Sequence, residues 1–182
     1  MIFCNIEGYF QSNGKNKGLS KEALFKEIFQ ANSKKIYHLC YGYTGDDETA
    51  NDLMQETFMK VWQNLDKFRN QALISTWIYR IAVNTCLSYL RIEKRQPKDE
   101  LTDNIIETKG EEISEKNEQV SSLYKCIAQL EENERIIITM VLDEVPYVEI
   151  ASISGISEGN LRVKIHRIKQ KLTELYNRNE RF

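Results

Sequence analysis

Leu24, Phe25, Ile28, Phe29, Ile36, Leu39 and Cys40 recur at intervals that set one apolar side along a helix. A turn at Gly45 to Asp47 separates this pattern from a second one, formed by Ala50, Leu53, Met54, Phe58, Val61, Trp62 and Leu65. Trp62 is assigned there to the core. A loop from about Phe68 to Ser75 then leads into a third helix, about Thr76 to Lys94, whose inner side is expected to hold Trp77, Ile78, Ile81, Ala82 and Thr85. Pro97 ends that helix, because proline lacks the amide hydrogen that a helix interior needs.

Between about Gln96 and Lys116 the periodicity fails. Charged residues, Thr and Gly110 dominate and large apolar residues are few, so this stretch reads as a flexible linker. Periodicity returns with Val120, Leu123, Ile127 and Leu130, followed by a helix over about Glu132 to Leu142. The pattern predicts an all-α protein of two small helical domains joined by an acidic linker. Each domain lies near the lower size limit for independent stability, so docking on something larger would help both.

The stretch from Pro146 to Leu172, PYVEIASISGISEGNLRVKIHRIKQKL, carries the most specific pattern. Ala151 is small where two crossing helices leave little room, Gly155 permits a tight turn, and Ser157 is a natural N-cap with Glu158 in the first turn behind it. Ile150, Ile156, Leu161, Ile165, Ile168 and Leu172 supply a buried side. The opposite side repeats Asn160, Lys164, Arg167 and Lys171, with Arg162, His166 and Lys169 alongside. A basic amphipathic helix is often only a solvated surface. Here the turn glycine, the cap and the one-sided cationic face together predict a helix-turn-helix that meets phosphates and base edges.

Net charge is only −2, but it is unevenly spread. Residues 160–182 hold seven Lys or Arg against two Glu, whereas residues 96–118 hold eight Asp or Glu against three Lys. Affinity for duplex rises with each phosphate neutralised, so a near-neutral chain with one short basic patch should bind free DNA weakly and need a partner.

Candidate chemistry is otherwise sparse. Cys4, Cys40, Cys86 and Cys126 form no CxxC pair, and His38 and His166 cannot complete a zinc site. Reduced, packed thiols are expected, with no metal and no cofactor. No nucleophile with its base and no phosphate loop appears, so no enzyme is expected. The sequence contains neither a run of about 18 apolar residues nor a secretory signal at its start, and cytoplasmic residence is expected.

Two further faces stand out. Asp52, Gln55 and Glu56 share one side of the second helix, where two carboxylates four residues apart repel each other unless a cationic surface meets them. Arg80, Asn84, Ser88, Arg91 and Arg95 line one strip of the third helix, beside the aromatic residues Phe68, Trp77 and Tyr79. Rings next to positive charge suit stacking of unpaired bases, although Trp77 also fits a core position.

Three blocks, NDLMQETFMKVWQNLDKF, STWIYRIAVNTCLSYLR and the stretch from Pro146 to Leu172, resemble in this order a bacterial sigma factor of the extracytoplasmic-function (ECF) class. The resemblance implies region 2 over residues 19–95, an acidic linker over 96–116 and region 4 over 117–178. Residues 1–18 match nothing in the family pattern and are expected to be a mobile extension, and 179–182 form a tail. Asp52, Gln55 and Glu56 are then implied to meet the clamp coiled coil of the largest subunit of core RNA polymerase. Phe68, Arg69, Trp77, Arg80, Asn84, Ser88, Arg91 and Arg95 are implied to capture and melt the minus-ten element of promoter DNA. Asn160, Arg162, Lys164, His166, Arg167, Lys169 and Lys171 are implied to read the minus-thirty-five element.

An anti-sigma factor, membrane-anchored, is a further implied partner. Val83, Leu73, Ile74 and Val163 depart from residues common in the family, so the promoter sequence does not carry over. The competing reading is a dimeric helix-turn-helix repressor that acts without polymerase, on two symmetric half-sites.

Overall fold

The computed structural model describes residues 20–69, 72–93 and 115–179. Seven helices account for nearly all of them: α1 (Lys21–Thr44), α2 (Asp47–Asn64), α3 (Ile74–Glu93), α4 (Glu115–Ala128), α5 (Glu132–Leu142), α6 (Tyr147–Ser154) and α7 (Glu158–Asn179). A single 3₁₀ turn, Leu65–Lys67, follows α2. The expected extension over 1–18, most of the expected linker and the last three residues lie outside the described residues.

Local signals set most boundaries. Ser20 caps α1 by accepting from the Ala23 amide, and Gly45 ends it in the left-handed conformation, φ 75°, donating to the Tyr41 carbonyl at 2.7 Å. Asp46 caps α2 by accepting from the Thr49 amide at 2.8 Å, which holds its carboxyl below the usual range. A reciprocal pair, Glu131 with Glu134, opens α5 at the expected residue.

Helix α3 begins at Ile74, two residues before the expected Thr76, because Ile74 is itself buried and draws the first turn onto the core. Ser75 therefore belongs to the helix and not to the loop before it. Ile78, Ala82 and Thr85 are buried as expected, with Trp77 and Ile81 partly so. Cys86 joins them.

Three expectations of burial need correction. Phe29 is 38% exposed and Val120 52% exposed, since each lies at the rim of its helix's apolar stripe. Trp62 is only half-buried, its ring edge-on to Phe25 at 5.2 Å and covered by the Lys21 ammonium at 4.8 Å. A cation over an indole face explains how it tolerates the surface.

The two groups of helices share one continuous apolar core. Helix α1 packs on α2 and α3 on one side and on α4 and α5 on the other, and α3 meets α6. The crossing of α1 and α5 is close: a Cβ added to Gly42 would lie 2.3 Å from Thr139 Oγ1. Polar ties reinforce the seam. Arg135 Nη1 donates to the Tyr43 carbonyl at 3.0 Å, and His38 Nδ1 lies 2.8 Å from Asp143 Oδ1. The docking that small domains need is supplied in this conformation by the other half of the chain.

Cys40 and Cys86 are buried with their sulfurs 3.9 Å apart, and Cys126 is buried elsewhere; all three are free thiols. The Cys86 thiol and burial together push Cys40 up, far from a reactive thiolate. Cys4 lies outside the described residues. Among the described residues, no helix is long and apolar enough to cross a membrane.

Candidate nucleic-acid and polymerase interfaces

Helices α6 and α7 form the helix-turn-helix. Gly155 closes α6 with φ 69° and donates to the Ala151 carbonyl, and Ala151 is buried where the helices cross. The Ser157 hydroxyl accepts from the Asn160 amide at 3.4 Å and its carbonyl from the Leu161 amide at 2.9 Å, which starts α7. Ile150, Leu161, Ile165 and Ile168 are fully packed beneath; Ile156 and Leu172 are partly so.

On the outer side of α7, Asn160, Arg162, His166, Arg167 and Lys169 are exposed, and Lys164 is half-buried. Arg162 pairs with Glu158 and lies 5.2 Å from the centre of the Tyr147 ring, which ties the two helices of the motif together. Tyr147 was not legible as a partner in the sequence. Lys171 is engaged elsewhere. Its ammonium binds Glu134 on α5 at 2.8 Å, and that hydrogen bond to a buried carboxylate raises its pKa.

On α3, Arg80, Asn84, Ser88 and Arg91 are exposed along one strip, while Arg95 lies outside the described residues. The Phe68 and Trp77 rings sit 5.0 Å apart, both half-buried, at the foot of this strip, with Arg69 exposed beside them. Tyr79 does not belong with them. It is 2% exposed on the inner side, and burial pushes its phenol up. Trp77 and Tyr79 lie two positions apart, which sends them to different sides of a helix.

The strip is not free throughout. Arg80 Nη2 donates to the Ser152 carbonyl at 3.0 Å and to its hydroxyl at 2.7 Å, across the seam on α6. At the start of α3 the hydroxyls of Thr76 and Ser75 donate to Glu149 Oε2 at 2.8 and 3.3 Å.

On α2, Asp52 and Gln55 are exposed and Glu56 is bound to Lys60 at 2.7 Å. Lys60 in turn donates to Thr85 on α3 at 3.0 Å. This pairing offsets the repulsion expected between the two carboxylates. Met59, 59% exposed, continues the same face one turn on and was missed, because it lies off the apolar stripe and carries no charge to mark it beside Asp52 and Glu56.

A capped helix-turn-helix with an outward cationic side, packed beside a second helix bearing exposed arginines, defines a helical DNA-binding protein. The family models named Sigma-70 region 2 and Sigma-70, region 4 match residues 28–96 and 121–172. The chain is 30% identical over 163 residues to the ECF RNA polymerase sigma factor SigW of Bacillus subtilis, spanning 81% of this chain and 86% of the relative. It is 35% identical over 134 residues to the ECF RNA polymerase sigma-E factor of Escherichia coli K12, covering 66% and 70% of the two chains.

Two solved structures share its fold. The sigma factor RpoE, crystallised with the anti-sigma factor NepR from Bartonella quintana, has a TM-score of 0.72 at 22% identity, over 84% of this chain and 96% of that one. CnrH, solved with the cytosolic domain of CnrY, has a TM-score of 0.64 at 16% identity, over 94% and 95%. The chain belongs to the ECF class of RNA polymerase sigma factors.

Proposed function

We propose that the chain confers promoter choice on core RNA polymerase through three separate faces, each suited to a different partner. The α2 face, Asp52, Gln55 and Glu56 with Met59, meets the basic clamp coiled coil of the largest subunit. The α3 strip and its loop, from Phe68, Arg69 and Trp77 through Arg80, Asn84, Ser88 and Arg91 towards Arg95, captures the unpaired minus-ten strand. The outer side of α7, from Asn160 to Lys169, enters the major groove at the minus-thirty-five element. Lys171 is assigned to the α5 contact in place of DNA.

The observation that carries this reading is that an acidic, partly apolar face on α2 occurs with two cationic helices in one near-neutral chain. Extruding a base costs a few kcal/mol, which so weakly charged a protein recovers only with polymerase and both promoter elements contributing. The role is binding, not catalysis, and its place is the cytoplasm, where polymerase works.

An anti-sigma factor is the natural antagonist. Two proteins of the same fold were solved with NepR and with CnrY. A membrane-anchored protein that covers both helical groups fits a chain whose partners must be withheld until a signal arrives. The competing reading, a dimeric repressor, leaves the α2 face without a use.

The test is charge reversal. The double variant Asp52→Lys, Glu56→Lys should lose binding to purified core polymerase while keeping its helix content. Unchanged core binding would remove the clamp assignment.

A further inference from the structure

We infer that Val163 selects a thymine in the minus-thirty-five element, through apolar contact with the 5-methyl group of that base in the major groove. The inference rests on the α7 reading proposed above. It adds to that reading one base pair and the side chain that chooses it.

Val163 occupies the outermost position of α7. It stands two places from Leu161 on one side and from Ile165 on the other, both of them buried. Successive helical residues turn by about 100°, so a residue midway between two buried ones points directly away from the core. Val163 is accordingly 52% exposed. It also lies in the second turn of a helix that begins at Glu158, and the N-terminal residues of a reading helix are those that reach base edges.

Its neighbours leave it the centre of the face. Arg162 is drawn to one flank by Glu158 and the Tyr147 ring, and Lys164 is half-buried on the other flank. Those two cations are placed for phosphates on the walls of the groove. One turn before Val163 stands Gly159, where even an added Cβ would meet nothing within 4 Å among the described residues. A base edge can therefore come close beside the valine.

Single exposed valines are ordinary on a protein surface. This one is ringed by Asn160, His166 and Arg167, all exposed, so an apolar spot lies inside a polar reading face. A valine side chain neither donates nor accepts a hydrogen bond. Among the four bases only thymine offers an apolar group in the major groove. The other three would set amino, carbonyl or ring-nitrogen groups against the valine methyls and leave them without water or a partner. β-Branching holds a helical valine in one main rotamer, so the contact is formed in advance.

The test uses holoenzyme assembled from core RNA polymerase and either the full chain or its Val163→Ser variant, with circular dichroism to check that the variant is folded. Each holoenzyme selects from promoter fragments randomised over the minus-thirty-five element. The full chain should retain an A·T pair in one fixed orientation at one position, and Val163→Ser should relax that position alone. Replacing the selected thymine by uracil removes only its methyl group. That change should weaken binding by the full chain about fourfold, as expected for one buried methyl group, and leave binding by Val163→Ser unchanged. Equal thymine-over-uracil preference in both proteins, none in either, or a loss by Val163→Ser that is uniform across sequences overturns the inference. Arg167→Ala tells that failure from a wider one. If it alters the selection, the α7 reading survives the loss of the thymine contact; if it and Val163→Ser both leave the selection unchanged, the α7 reading fails and takes the thymine contact with it.

Discussion

Arg80 and Ser152, 72 positions apart in sequence, are joined by two hydrogen bonds from one guanidinium nitrogen, at 3.0 Å to the carbonyl and 2.7 Å to the hydroxyl. One residue belongs to the helix assigned to the melted strand and the other to the helix-turn-helix. On the proposed assignment the same side chain cannot serve both partners at once, so Arg80 has to leave Ser152 before it meets the strand. With core polymerase, Ser152→Ala should leave transcription intact, because on that assignment the strand and not Ser152 then holds Arg80. In the free chain it should loosen the seam. Hydrogen exchange across α6, with and without core polymerase, checks both outcomes.

Gly42 sits inside the last turn of α1, where alanine is ordinarily favoured by up to about 1 kcal/mol. Here a Cβ would lie 2.3 Å from Thr139 Oγ1, with Cγ2 and Cβ of the same residue at 3.2 and 3.3 Å, so turning the threonine exchanges one clash for another. The helices must part, at an overpacking cost of roughly 1–3 kcal/mol. Gly42→Ala should lower Tm by a few degrees, and Thr139→Ala should restore part of the loss.

Burial raises the Asp143 carboxyl above its ordinary value, more than the His38 hydrogen bond and nearby Lys35 and Lys34 lower it. Its Oδ2 lacks a hydrogen-bond partner. An acid whose folded pKa is raised adds stability that is full below the unfolded pKa and is lost as pH climbs through the folded one. At neutral pH the charged carboxylate is therefore a burden. Asp143→Asn, which keeps an acceptor for His38, should raise Tm at pH 7 and raise it less at pH 4. An equal effect at both would mean that the charge is not the cause.

Lys171 closes onto the buried carboxylate of Glu134, so its removal should be felt in stability before DNA binding. Lys171→Ala should lower Tm and leave promoter preference unchanged. Arg167→Ala, exposed on the outer side of α7, should do the reverse. Thermal melts and promoter binding by the holoenzyme, measured on both variants, separate the roles.

What could be read in advance was what neighbours along the chain decide. Gly155, Ser157 and the Ile150 to Leu172 spacing act within a few residues, and the motif formed as they dictate. The same holds for α5, whose bounds are those expected. Periodicity gives a side of a helix but not how far a neighbour covers it, which is why Phe29 and Val120 emerged at the rim and Tyr79 went inside. Lys171 with Glu134, and Arg80 with Ser152, join residues 37 and 72 apart, and no local pattern encodes such pairs. The sequence showed two modules and their faces; the seam between them required the fold.

Promoter-directed initiation in a purified system tests the central claim most directly. Core RNA polymerase and this chain should together produce run-off transcripts from a small subset of a promoter library, while neither component does so alone and the free chain holds duplex weakly at physiological salt. Tight binding of the isolated chain to a palindromic site as a dimer, with no transcript gained when it is added to core enzyme, would contradict the account.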